Sequence, residues 1–138
     1  MSAQSQRPED YQKSRVLDFC QALAGRNLDR VFSLMTDSAT LTWGPYSFNN
    51  RDAIIRWAEE LYELFPFMSI QNKSLTVSES TVKQELVIAF LTSEKQRGWL
   101  PCVAEYSFEK GRINRLAVTL LNGYLAVSRS DVVGIKAG

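Results

Sequence analysis

Hydrophobic spacing in this chain changes its period at Pro66, and that change limits the folds open to it. Before Pro66 most apolar residues recur at helical spacing. Tyr11, Val16, Phe19, Cys20 and Leu23 share one face of a helix that begins near Glu9 and stops at Gly25. Asn27 caps a short helix to about Met35, carrying Leu28, Val31, Phe32 and Leu34. The strongest helix opens at Arg51 or Asp52 and runs to about Phe65, with Ile54, Ile55, Ala58, Leu61, Tyr62 and Phe65 in phase and Trp57 alongside. One strand, Ala39 to Trp43, interrupts this half. It follows an Asp37-Ser38 turn and ends at Gly44-Pro45. Tyr46 to Asn50 reads as a loop.

After Pro66 the spacing is that of strands. They are expected over Phe67–Val77, Thr81–Leu91, Trp99–Phe108 and Arg112–Leu121. Turns fall at Ser78–Ser80, Ser93–Gly98, Glu109–Gly111 and Asn122-Gly123. Helices first and strands afterwards predict an α+β fold: a curved antiparallel sheet wrapped around three N-terminal helices, a cone-shaped barrel. The expected domain covers residues 9–127, between tails at 1–8 and 128–138. Both faces of the last strand carry apolar residues, Leu116, Val118 and Leu120 on one and Ile113, Ala117 and Leu121 on the other. The outer face therefore needs a cover, and a homodimer is the simplest one.

At 138 residues the chain can bury a sizeable core. A net charge of +1 gives no electrostatic reason to expect a nucleic acid or an anionic membrane as partner. No stretch is long and apolar enough to span a bilayer, and the polar start does not read as a signal peptide. A cytoplasmic location is expected. Cys20 and Cys102 read as free thiols. There is no histidine, which removes Ser-His and Cys-His nucleophiles, imidazole acid–base chemistry and most zinc sites. No cofactor and no metal are expected.

The segment LAGRNLDRVFSLMTDSATLTWGPYSFNNRDAIIRWAEELYELFP resembles the cone-shaped superfamily of nuclear-transport-factor-two-like domains. That group includes SnoaL-like polyketide cyclases, ketosteroid isomerases and scytalone dehydratases. Asn50 of NRDAI stands where the pattern usually has glycine. YSFEKGRINRLAVTLLN resembles the closing hairpin, and the likeness extends over about residues 9–124. Its motifs are specific for fold and poor for function. The resemblance implies three catalytic positions for an isomerase: a tyrosine at or beside Phe19, an aspartate at Trp43 and a protonated carboxyl near Ala104. None of these residues can do that work. Glu105, one residue along, points to the opposite face. The missing histidines exclude the dehydratase chemistry, and the Asp-Arg-Asp set of epoxide-hydrolase-like members has no match.

The resemblance also implies a pocket wall: Phe19, Trp43, Tyr46, Trp57, Leu61, Cys102, Leu116, Val118 and Leu120, with Tyr46 and Phe48 as a flap. Such an aromatic, apolar wall suits a flat or polycyclic ligand. Tyr106 and Asn122 are the polar candidates for catalysis. Tyr106 either donates to a ligand or satisfies itself within the core, and Asn122 either orients a ligand or makes a turn. Glu85 and Glu105 either form a carboxylate pair or sit solvated on the outer face. Three functions fit: a cofactor-free isomerase, cyclase or dehydratase on a hydrophobic small molecule, a carrier of an apolar ligand, or a dimeric assembly domain with a filled cone.

Overall fold

The computed structural model describes residues 8–92 and 94–121. Helix α1 spans Pro8–Ala24, α2 Leu28–Ser33 and α3 Arg51–Leu64. The strands are β1 Met35–Trp43, β2 Tyr46–Phe48, β3 Phe67–Ser78, β4 Thr81–Leu91, β5 Arg97–Glu109 and β6 Arg112–Leu120. Asn122 and both expected tails beyond Pro8 lie outside the described residues. Pro8 itself is the first residue of α1, a position that needs no backbone donor.

The helix caps are made by asparagines. The Asn27 side chain accepts from Arg30 N–H at 3.1 Å, as expected for α2. For α3 the cap is Asn50, which accepts from Ala53 N–H at 2.8 Å. Arg51 and Asp52 follow it in the first turn, where Asp52 complements the helix dipole. Arg51 instead pairs with Asp37 at 3.1 Å and lies over the Phe32 ring.

The six strands form one curved, open sheet in the order β2-β1-β6-β5-β4-β3. Neighbours are antiparallel except β1 and β6, which are parallel. The helices occupy one face: α3 packs on β1 and β2, and α1 on β3 and β4. β1 begins at Met35, four residues before the expected Ala39. The Asp37-Ser38 turn is absorbed as an irregularity in its pairing with β6, between Met35 and Thr40. The expected loop from Tyr46 is instead a short strand, with Trp43 opposite Tyr46 and Leu41 opposite Phe48. Gly44, at φ 59°, supplies the positive φ of a tight hairpin turn. Ile113 belongs to the core rather than to the outer face. A bulge between Ser107 and Phe108 shifts the register, so Ile113 and Leu116 both turn inward. Glu85 and Glu105 are exposed on the convex face. Glu105 stands opposite Lys83 and Glu85 opposite Val103, so they are not a cross-strand pair.

Candidate functional site

Alternation along the strands brings one set of side chains to the concave face, beneath the helices. Trp43, Val118, Ala104 and Gln84 occupy one cross-strand row. Leu41, Leu116, Tyr106 and Val82 form the next, and Leu120, Cys102 and Leu86 a third. Phe19 of α1 meets Tyr106 edge-to-face, with centroids 6.0 Å apart. Trp57 of α3 tilts against Trp43 at 5.6 Å, and Leu61 lies one turn further along α3. The expected wall residues therefore do come together. Most are fully buried, while Tyr46 and Leu120 are half-buried at the end of the sheet nearest Gly44. A Cβ on Gly44 would lie 3.5 Å from Leu120 Cδ1, so the hairpin tip and the end of β6 adjoin.

The wall has a polar centre of which sequence reasoning singled out Tyr106 but missed Gln84 and Asn72. Tyr106 O–H donates to Gln84 Oε1 at 2.7 Å. Gln84 Nε2 donates to Asn72 Oδ1 at 3.1 Å. Cys20 Sγ lies 3.6 Å from Gln84 Oε1 and 3.5 Å from the Tyr106 hydroxyl. Gln84 is wholly buried, one of two buried polar residues among those described. Its signal was available in strand periodicity: it interrupts the inward series Val82, Leu86, Ile88, Phe90. Asn72 reaches the group beside a β3 bulge between Asn72 and Ser74.

These groups hold their protons. Burial, then the adjacent Cys20 and Cys102 thiols, push the Tyr106 hydroxyl well above the ordinary phenol range. Burial likewise raises Cys20, opposed by its hydrogen bonds to Tyr106 and Gln84. It raises Cys102 to about 12. Both cysteines are free. A neutral thiol is a poor nucleophile, so Cys102 is a small buried hydrophobe, its Sγ 3.5 Å from Leu100 C=O. The arrangement can orient a molecule by hydrogen bonds. It offers no base near neutral pH among the described groups of the concave face.

A cleft of about 520 Å³ opens between α1 and β3. Leu17, Ala24, Met68 and Ile70 give it apolar sides, and Cys20 and Asn72 stand in its lining. Those two residues also touch Gln84, which is itself fully buried behind them. No group of metal-ligating side chains occurs among the described residues.

A family model described as a SnoaL-like domain matches residues 16–116. The chain belongs to the SnoaL-like family. Its fold agrees with solved members and neighbours of that family. One is a protein from Jannaschia sp. CCS1, provisionally assigned as a SnoaL-like polyketide cyclase. It has a TM-score of 0.76 at 16% identity, over 86% of this chain and 91% of that one. Another is SalBIII, an epoxide hydrolase/cyclase-like enzyme of pyran ring formation in the polyether salinomycin. It has a TM-score of 0.74 at 16% identity, over 82% and 92% of the two chains. A third is an LEH-like epoxide hydrolase from M. tuberculosis, with a TM-score of 0.69 at 14% identity, over 80% and 82% of the two chains. At such identities the likeness carries the fold alone. No curated protein matches the sequence. Within this SnoaL-like domain no helix of the described residues is long and apolar enough to cross a membrane.

Proposed function

We propose that this SnoaL-like domain binds a hydrophobic, ring-containing small molecule against its concave wall. The observation that carries this reading is the Tyr106–Gln84–Asn72 chain, set in an apolar wall, whose outer end Asn72 lines the cleft between α1 and β3. Hydrogen-bonding groups in an apolar cradle fix a ligand's orientation. Since the described groups there stay neutral, binding is favoured over acid–base chemistry. A second reading is a cofactor-free cyclase or isomerase that works by folding its substrate and excluding water. The cyclase assignments of the Jannaschia protein and of SalBIII support it. In that case Tyr106 acts through orientation, and Asn122 is the second proposed source of a hydrogen bond to substrate.

Thermal unfolding in the presence of polycyclic ketones, carotenoids and fatty acids tests the reading. A ligand at a hundred times its Kd adds about 2.7 kcal/mol and raises the midpoint by several degrees. A flat response to every compound would count against a ligand-binding role. Turnover of a bound compound, tracked by mass, separates the enzyme from the carrier.

The domain is also proposed to form a homodimer through its convex face. Phe67 and Trp99 are 67% and 60% exposed there, and Leu121 41%. A groove of about 430 Å³ runs beside Phe67 and Trp99. Exposed apolar groups that line one groove together mark an interaction surface, as single ones do not. Sedimentation of the full chain is expected to give a dimer, and Trp99→Glu a monomer. A monomeric parent would refute the assignment. Free, buried thiols suit a reducing compartment, so the proposed location is the cytoplasm.

A further inference from the structure

Gln84 and Tyr106 are sealed from solvent, and on the helix side two residues of α1 seal them. Phe19 meets the Tyr106 ring edge-to-face. Cys20 Sγ lies against the Tyr106 hydroxyl and Gln84 Oε1. A molecule that reaches these groups from the cleft must displace this part of α1. Sulfur is a weak hydrogen-bonding partner, so Cys20 does little to hold the helix down. Beside it the cleft of about 520 Å³ separates Leu17 and Ala24 from Met68 and Ile70, so packing there is loose.

α1 is fastened at its C-terminal end. Arg26 has φ 64°, a left-handed conformation. Asn27 N–H donates to Ala22 C=O and Arg26 N–H to Leu23 C=O, the pairing that closes a helix on a left-handed residue. Glycine is the usual residue at that position, yet this chain has its glycine one place earlier, at Gly25. The arginine side chain supplies the reason. Its guanidinium donates to Tyr62 C=O at 3.2 Å and to Pro66 C=O at 2.8 Å, and it lies over the Tyr62 ring. Tyr62 C=O belongs to the last turn of α3, and the residue four places on is Pro66, which has no N–H to give it. Arg26 is the donor that Pro66 cannot be. Tyr62 returns a bond, its hydroxyl donating to Leu23 C=O. The ends of α1 and α3 are thus clasped together. Arg26 itself is exposed, so water can take over its hydrogen bonds and release the clasp.

We infer that residues 17–24 of α1 are the door to the Gln84–Tyr106 group and that Arg26 is its latch. Arg26 is a positioning residue, acting through α1 from outside the cleft lining. The role of the door rests on the reading that a ligand reaches the concave wall.

The experiment follows alkylation of the full chain by iodoacetamide, a small uncharged probe, with the two cysteines separated by peptide mass. Cys20 and Cys102 are both buried, and burial keeps both thiols protonated, so each reacts only as the structure opens. Cys20 reports the door, and Cys102 on β5 reports the core of the sheet. Arg26→Gly removes the guanidinium and suits the left-handed backbone, which keeps overall stability close to that of the parent. It is expected to speed Cys20 alkylation about tenfold or more and to change Cys102 by less than about twofold. Arg26→Lys keeps the charge without the fork and is expected to fall between parent and glycine variant. Equal acceleration of both cysteines would show a loosening of the whole fold, and an unchanged Cys20 would show that the clasp does not hold α1. Either overturns the inference. Should Arg26→Gly fail to fold, Tyr62→Phe, which deletes only the bond to Leu23, must show the same selective rise at Cys20. No ligand takes part, so a thermal-unfolding panel without binding removes the ligand reading and leaves the latch to be decided by the cysteines.

Discussion

Trp57→Ala is expected to lower the unfolding free energy by about 3–5 kcal/mol. Trp57 lies on the inward face of α3 with Ile54, Ala58 and Leu61, against the Trp43 ring. Removing the indole deletes a large buried apolar surface and leaves a cavity between helix and sheet, which the curved sheet can close only in part. A domain of this size has about 5–15 kcal/mol of stability in total, so the loss is a substantial fraction of it. Chemical denaturation with an unchanged m-value measures it. A loss below about 1.5 kcal/mol would mean that the indole is not packed as described. Trp57→Phe, which keeps most of the packing, separates this effect from loss of the N–H donor.

Gln84→Met is the second large effect, expected to cost about 2 kcal/mol or more. Methionine nearly matches glutamine in shape but offers Tyr106 no good acceptor. The Tyr106 hydroxyl, fully buried, would then lack its 2.7 Å partner. The cost of an orphaned buried group exceeds the gain from a satisfied one. Tyr106→Phe in the Gln84→Met background removes the orphan, so the double variant should be at least as stable as Gln84→Met alone. The coupling in this cycle is expected at about 1 kcal/mol or more. Additive losses would show that the two side chains act independently, and that Tyr106 is free to donate to a ligand. The same cycle read with a bound polycyclic ketone reports whether the group also orients ligand.

Strand alternation and helical spacing give the face of each residue on its own element, and the resemblance groups those faces into a wall. The resemblance implies that Phe19, Trp43, Cys102, Leu116 and Val118 share one wall, and all five are buried. Periodicity works because a side chain's face depends only on its position along its own element. It fails where elements are irregular. Ile113 was assigned outward and turns inward because a bulge at Ser107/Phe108 resets the register. Tyr46–Phe48 was assigned to a loop because three residues are too few to show a period. α3 opens at Arg51, within the expected bounds, and the Asn50 side chain that precedes it makes the cap.

By itself the sequence determined the class of fold, the apolar character of the wall and the loss of the isomerase-type residues at Phe19, Trp43 and Ala104. The class of fold follows from composition and from spacing within single elements, whereas the wall and the isomerase-type positions are what the resemblance implies. The switch of period at Pro66 separates three helices from four long strands, and the tertiary structure adds β1 alongside β6 in parallel and β2 at its edge. Only that structure decided how the polar groups meet. Cys20, Asn72, Gln84 and Tyr106 come from α1, β3, β4 and β5, and no local pattern links residues so far apart. Their contact depends on the pairing of neighbouring strands and on α1 lying over β3 and β4. Hydrogen bonds are short-ranged and directional, so a register change of one residue would have turned Gln84 to solvent and left Tyr106 alone in the core.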